Sequence, residues 1–436
     1  MPVIRLPGTP DLLSLHASNR QRYPYLLQTC GGAGWDILFA FPQHTLLAHA
    51  GEGGSFFAAL DCAWDAHVGR GSEPELARLP FRGGWFLYLG YELLHELEPT
   101  VHRKSFQEGF PLACLTRVPA AVLVERASQQ TYLVAEDPQY LPELEADLVV
   151  ARPCGGRPVA VAELQEEDEQ VFLDGVERIK RYIREGDVFQ VNLARRWQAT
   201  LEKGSAADLY ASLRANNPAP FGGIADFGGC QIVSSSPERL VRVRDGWVET
   251  RPIAGTHPRS VSPGEDEQLR QQLIASPKER AEHIMLIDLE RNDLGRICKP
   301  GSVDVNELMA VETYAHVHHI ESSVRGRLRE GATPADVIRA LFPGGTITGC
   351  PKVRTMQIIN ELEATPRLAY TGSMGYLNLD GSLDLNILIR SIMVAGDRLS
   401  FKAGAGIVAD SEPRRELEET RAKAKGLLKS LGVLPG

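Results

Sequence analysis

Cysteine is scarce: seven residues in 436, at positions 30, 62, 114, 154, 230, 298 and 350, each standing alone. No Cys-x-x-Cys pair occurs, which excludes a zinc knuckle or a disulfide framework and fits a reducing cytoplasm. Long apolar runs are missing too. No stretch approaches the roughly 18 residues of a membrane-spanning helix, and the start MPVIRLPGTPDLLSLH lacks the apolar centre of a secretory leader. There is no basic excess: 47 Lys and Arg face 56 Asp and Glu, a net charge of −9. A nucleic-acid or anionic-lipid surface needs the opposite balance. Repeats and low-complexity tracts are absent. What remains is an ordinary globular composition, 43% hydrophobic and 24% charged. A chain this long buries about three quarters of its unfolded surface. Composition therefore leads us to expect a cytoplasmic globular enzyme.

The clearest shift in composition lies at residues 152–169, where RPCGGRP precedes the acidic run ELQEEDEQ. It reads as a loop entering a helix, and it divides an N-terminal lobe, 1–155, from a catalytic region, 165–436. Before it, WDILFAF, AAVLVE and QTYLVAE read as strands between Gly/Pro-rich turns. After it, Val171, Val176, Ile179, Tyr182 and Ile183 make a helical stripe, and VFQVNLARRW reads as a strand. A helix opens at Ser276-Pro277-Lys278-Glu279 with a capping-box pattern. Others open at Pro351 and Pro413. Asp380-Gly381 marks a hairpin turn, and LSFKAGAGIV reads as a strand.

Two acidic pairs stand three residues apart, Glu279 with Glu282 and Glu416 with Glu419, each on one helix face. Four carboxylates from two helices suit a hard cation such as Mg²⁺, which takes oxygen ligands and keeps several waters. Spacing alone equally allows structural roles, since the capping box uses Glu279 and Lys423 lies one turn from Glu419. The loop Gly344-Gly345-Thr346-Ile347-Thr348-Gly349 is not a P-loop, because Cys350-Pro351-Lys352 follows it. It is a tight turn or a carboxylate site at a helix start. In YAHVHHIES, His316 and His318 share a strand face and His319 takes the other. One histidine acting on substrate and two structural ones is the economical assignment. No GxSxG elbow or GxGxxG fingerprint is present.

Taken together, SSSPERL, RPIAGTHPR, AEHIMLIDLERNDLGR, YAHVHHIES, LFPGGTITGCPKVRTMQIINELE, GYLNLDGSLDLNILIR, KAGAGIVADSEP and ELEETRAKA resemble the chorismate-using synthases. That family includes anthranilate synthase component I, aminodeoxychorismate synthase component I, and the isochorismate and salicylate synthases. The motifs occur in family order over most of residues 170–430. The resemblance implies an α+β fold of two layered sheets with helices outside and the active site in a cleft between subdomains. It implies that Glu282 and Glu419 hold Mg²⁺ against the ring carboxylate of chorismate, with Glu279 and Glu416 assisting through water. Tyr370 and Arg390 would grip the enolpyruvyl carboxylate. Gly255, Thr256, Gly404, Gly406 and Lys423 would complete the anion cradle. Glu238 and His319 would stand near the C4 hydroxyl, where a proton must be delivered.

The nucleophile separates the branches. Water-using members carry a lysine base where this chain has Gln190, and a neutral amide cannot deprotonate water. Gln190 thus implies amination by ammonia. Ala254 stands in PIAGT, where 4-aminating members carry lysine in PIKGT and anthranilate synthases carry alanine. The N-terminal lobe points the other way. Leu26-Leu27-Gln28-Thr29 replaces the tryptophan-binding LLES of anthranilate synthases, and the SPER segment with Arg239 resembles the 4-aminating class. The expectation is therefore an aminodeoxychorismate synthase component I, with 2-amination as the alternative and a non-catalytic chorismate or tryptophan sensor as the rival of another class. Cys230 and Cys350 lie outside any glutaminase context, so a separate glutamine amidotransferase subunit is expected to supply ammonia.

Overall fold

Apolar alternation in WDILFA, AAVLVE and QTYLVA produces the strands Trp35–Ala40, Ala120–Glu125 and Gln130–Ala135. The computed structural model describes residues 1–433 apart from 31–32, 68–75, 102–108, 151–155, 261 and 314–316, and leaves out the side chains of 256–258, 278 and 317. The three strands belong to a 12-stranded sheet. From one edge its order is Val3–Pro7, Gln130–Ala135, Ala120–Glu125, Trp35–Ala40, Tyr25–Gln28, Phe221–Asp226, Cys230–Ser236, Ser391–Ala395, Arg398–Ile407, Gln190–Lys203 and Gly349–Cys350. A 10-stranded sheet runs from Ile253–Pro258 through Val317–Arg327, Trp247–Thr250, Arg239–Arg244, Leu383–Asn386, Ser373–Asn378, Gly84–Leu89 and Ala113–Val118 to Thr45–Ala48. Both sheets take strands from either side of residue 155. Gly222 pairs with Gln28, and Gly84 pairs with Asn378.

The sheets stack through an aromatic core. Tyr25 of the first lies flat on Phe86 of the second, with ring centroids 3.9 Å apart, beside Phe39, Tyr88, Ile232 and Met374. Helices cover the outer faces. Leu12–Ser18, Ala206–Asn216 and the C-terminal helix Pro413–Ser430 place Leu13, Leu209, Leu213, Ala424 and Leu427 over the first sheet. Phe56–Asp65, Pro277–Gly295 and Pro334–Leu341 place Phe57, Ile287, Ile338 and Leu341 over the second. Each such side chain contributes roughly 1.5–3 kcal/mol on burial. The architecture is α+β, two layered antiparallel sheets with helices outside. Among the described residues no helix is long and apolar enough to cross a membrane.

Two expectations are corrected. Part of the acidic run is a strand: Ala160–Glu166 pairs with the edge of Gln190–Lys203 through two register shifts. Its charge belongs to an edge, where outward acids oppose edge-to-edge association. Glu166 meets Arg195 and Arg421, and Asp168 caps the helix Glu169–Arg184. On that helix the buried stripe is Phe172, Val176 and Ile179, whereas Val171 is 47% exposed. Steps of four and three follow one face, and residue 171 sits about 100° off it.

Candidate active site

A cavity of about 670 Å³ opens where the strands Gln190–Lys203 and Ile253–Pro258 meet the helices Pro277–Gly295 and Pro413–Ser430. It is lined by Gln190, Ala254, Gly255, Glu279, Glu282, Arg390, Gly406, Glu416, Glu419 and Lys423. Glu238, His319, Tyr370 and Gly404 stand directly behind this lining. Glu238 accepts from the cavity residue Thr346, His319 contacts the Gly255 carbonyl, and a Cβ on Gly404 would stand 2.9 Å from the Tyr370 hydroxyl. The Thr256 side chain and His316 lie outside the described residues.

Arg390 is one of four cations that line this cavity, with Lys423, Lys425 and Lys429. It follows the Leu383–Asn386 strand in a left-handed backbone, φ 53°, is half-buried, and has no carboxylate partner among the described residues. Burial lowers its proton affinity, while the neighbouring Tyr370 and Glu238 raise it. A guanidinium left in this state is costly unless an anion joins it. Burial keeps the Tyr370 hydroxyl protonated. Lys423 donates to the Gly404 carbonyl at 3.0 Å and pairs with Glu419 at 2.7 Å, the one-turn contact expected from spacing.

Glu238 is buried and takes a 2.6 Å hydrogen bond from Thr346 Oγ1. Burial first, then the like charges of Glu290 and Glu321, push its carboxyl up to about 8, against the pull of Thr346 and Lys423. It is a protonated acid at neutral pH. His319 is the reverse case. Burial lowers it to about 4, helped by Arg390, Lys423 and His318. Its Nδ1 lies 3.1 Å from the Gly255 carbonyl, so the neutral ring donates there. His318 has a structural role, held between Asp266 and Thr313.

The two acidic pairs face the cavity from two helices. Ser276 caps its helix by accepting from the Glu279 amide. The return bond of a capping box is not made, because the Ser276 amide donates to Leu273 O. The Glu279 carboxylate turns toward Gly255 instead. That glycine has φ 69°, and a Cβ there would stand 2.9 Å from Glu279 Oε2. Among the described residues no three His, Cys, Asp or Glu side chains converge into a complete metal site. The donor set still fits one kind of ion. It consists only of carboxylates, the hard oxygen donors that suit a cation keeping water and substrate oxygens in its shell.

Opposite lies an amide wall. Gln190 and Asn192 share one face of their strand, and Gln190 Oε1 and Asn192 Oδ1 are buried without hydrogen-bond partners among the described residues. Close-approach glycines make room for them, since a Cβ on Gly406 would stand 2.4 Å from Gln190 Nε2. Ala254 adds no functional group. Asn192, Thr346 in a site role, and Glu290, whose burial pushes it up to about 7, went unassigned in the sequence. The i, i+2 rule could have found Asn192. The Gly344–Gly349 loop is a tight turn, closed by Thr348 Oγ1 on Gly344 O. Gln28 and Thr29 line a separate cavity of about 420 Å³ between the sheets. The Gln28 amide is already bound to Asp36 and Arg214, and Arg239 is bound to Asp384.

Residues 23–429 match the family model described as chorismate binding enzyme. The chain is 42% identical over 359 residues to the anthranilate synthase component I-like protein of Synechocystis, covering 81% of this chain and 73% of that one. It is 49% identical over 263 residues to aminodeoxychorismate synthase component 1 of Bacillus subtilis, covering 60% and 56%. Among solved structures, anthranilate synthase component I from Streptococcus pneumoniae superposes with a TM-score of 0.80 at 32% identity, covering 90% of this chain and 92% of that one.

Proposed function

The chain belongs to the chorismate-binding enzymes, and within that family we propose that it aminates chorismate at C4, giving 4-amino-4-deoxychorismate for 4-aminobenzoate and folate synthesis. Arg390 carries the reading: a half-buried guanidinium without a carboxylate partner among the described residues calls for an anion, and chorismate is a dianion. Arg390 with Tyr370 would take the enolpyruvyl carboxylate through a forked contact. The ring carboxylate would face the acidic side. There Glu282 and Glu419 would hold Mg²⁺, assisted by Glu279 and Glu416 through water. When bound, the ion supplies charge neutralisation between carboxylates. Gly255, Thr256, Gly404, Gly406 and Lys423 complete the cradle.

Proton delivery falls to Glu238, whose carboxyl keeps its proton at neutral pH. It gives that proton to the C4 oxygen, which departs as water. The added amine releases one proton, which returns to Glu238. His319 is neutral and orients the C4 side through its Gly255 contact. Gln190 supports ammonia over water, because no base stands at its position. Three buried cysteines support an outside ammonia source. Burial pushes the thiols of Cys114 and Cys298 up to about 11 and that of Cys230 up to about 12, so none of these is a thiolate nucleophile. Ammonia is then drawn from a separate glutamine amidotransferase subunit.

Attack at C4 is supported by the N-terminal lobe, where Gln28 is spent on Asp36 and Arg214. A second reading, 2-amination with loss of pyruvate, is favoured by Ala254 and by the anthranilate synthase names of several relatives. The purified chain, given chorismate, ammonium and Mg²⁺, is expected to form 4-amino-4-deoxychorismate, converted by a lyase to 4-aminobenzoate. Anthranilate in the chromatogram would establish the second reading, and no amine product at all would leave only a binding protein.

A further inference from the structure

Behind the cavity lies a buried ion cluster that the chemistry above does not use. Arg367 is 1% exposed. A guanidinium has five N–H donors in a rigid fork, and all five are placed. Nε and one Nη2 hydrogen go to the Glu363 carboxylate, at 3.1 and 2.6 Å. The other Nη2 hydrogen goes to Asn192 O at 2.8 Å. Nη1 donates to Ile347 O at 3.0 Å and Thr371 Oγ1 at 3.2 Å. The same group lies over the Tyr370 ring, 5.6 Å from its centroid. Glu363 in turn accepts from the Ala194 amide at 3.0 Å and from Lys402 at 3.1 Å.

These contacts reach three walls of the cavity at once. Asn192 and Ala194 belong to the strand that carries Gln190. Ile347 follows Thr346, the residue bonded to Glu238. Tyr370 is the proposed partner of Arg390. We propose that Arg367, anchored by Glu363, is a positioning residue that holds the amide wall, the Thr346 loop and the Tyr370 ring in register for the reaction. The proposal rests on the amination reading, since its main readout is turnover. A 1 Å error in such a register costs about 10²-fold in rate. Lysine keeps the charge opposite Glu363 but has a point-like head in place of the fork.

The test compares Arg367→Lys with a matched control, Arg117→Lys. Arg117 is also a buried fork, bound to Glu136, Gly84 O and Val118 O, but none of these partners belongs to a wall of the cavity. Melting temperature, kcat, and KM for chorismate and for ammonium are measured well below the transition. Arg367→Lys is expected to lose about tenfold or more in kcat and to raise KM for ammonium, with KM for chorismate within about threefold. Arg117→Lys is expected to keep kcat within about twofold at a similar loss of melting temperature. A folded Arg367→Lys with wild-type kcat overturns the proposal, as does an equal kcat loss in the control. Glu363→Gln, which removes the anchor's charge at constant shape, is the second variant and is expected to behave like Arg367→Lys. If neither variant folds, the cluster is a folding element and the positioning role falls. A wild-type chain that forms no aminated product sinks the amination reading itself.

Discussion

The hydroxyl of Thr346 donates to the buried carboxyl of Glu238 at 2.6 Å and opposes the rise in that carboxyl's proton affinity. The loop read from its glycines as a tight turn or a carboxylate site therefore tunes an acid. With Glu238 at about 8, kcat/KM is expected to fall as pH rises above that value. Thr346→Val removes a bond to the charged form, so this alkaline limb should move to higher pH. A limb that stays in place, or moves down, would mean that another group titrates.

Glu238→Gln keeps an acceptor for Thr346 but has no proton to give. Turnover should drop by about 10²–10⁴-fold, under either regiochemistry, because the C4 oxygen leaves in both. Stability should move the other way. The folded chain holds this proton from the unfolded carboxyl range up to about pH 8, so the wild type loses stability as pH rises through that window. The variant should lack this slope, and melting curves at pH 5 and pH 8 measure the difference.

Arg390→Leu removes a cation that has no ion-pair partner among the described residues. The variant is expected to melt at or above the wild-type temperature, because a half-buried unpaired charge is lost, and to bind chorismate at least about tenfold more weakly. A fall of several degrees in melting temperature would show that Arg390 serves the fold.

Glu282→Gln and Glu419→Gln each take an anionic oxygen from a site with few protein ligands. Each should lose most turnover with the fold intact and need more Mg²⁺ for what remains. Near-wild-type rates at saturating Mg²⁺ in both variants would make these carboxylates ordinary surface groups.

Ala254→Lys tests whether an amine at this position directs attack. It would stand beside Gly255 and the Glu279 carboxylate, which favours the charged ammonium over the neutral nucleophile. The same product is expected at a changed rate. A switch of product identity, seen by chromatography, would give residue 254 control of regiochemistry.

What the sequence displayed were features carried by spacing and local chemistry. The two members of each Glu pair lie one turn apart, Ser276-Pro277 opens a helix, and Asp380-Gly381 closes a hairpin with Gly381 at φ 83°. Motif order brought Gln190, Arg390 and Lys423 to one cavity. Other features depend on what meets across the fold. Nothing near Arg390 in the chain says that it has no carboxylate partner among the described residues, and nothing near Glu238 announces Glu290 and Glu321. The strand Ala160–Glu166 was hidden because an exposed edge strand carries the same acidic composition as a loop. Arg367 reads as one arginine among many until its five donors are traced.

Gly84 pairs with Asn378, and Gln28 with Gly222. During translation the early strands therefore emerge long before their neighbours exist. Gly84–Leu89 has Ala113–Val118 on one side, while its other edge waits for a strand made near the end of the chain. An unpaired apolar edge of this kind invites association between nascent chains. Ribosome-bound fragments that stop before residue 370 should accordingly need holding by chaperones, and a plasmid expressing the first 150 residues alone should yield inclusion bodies.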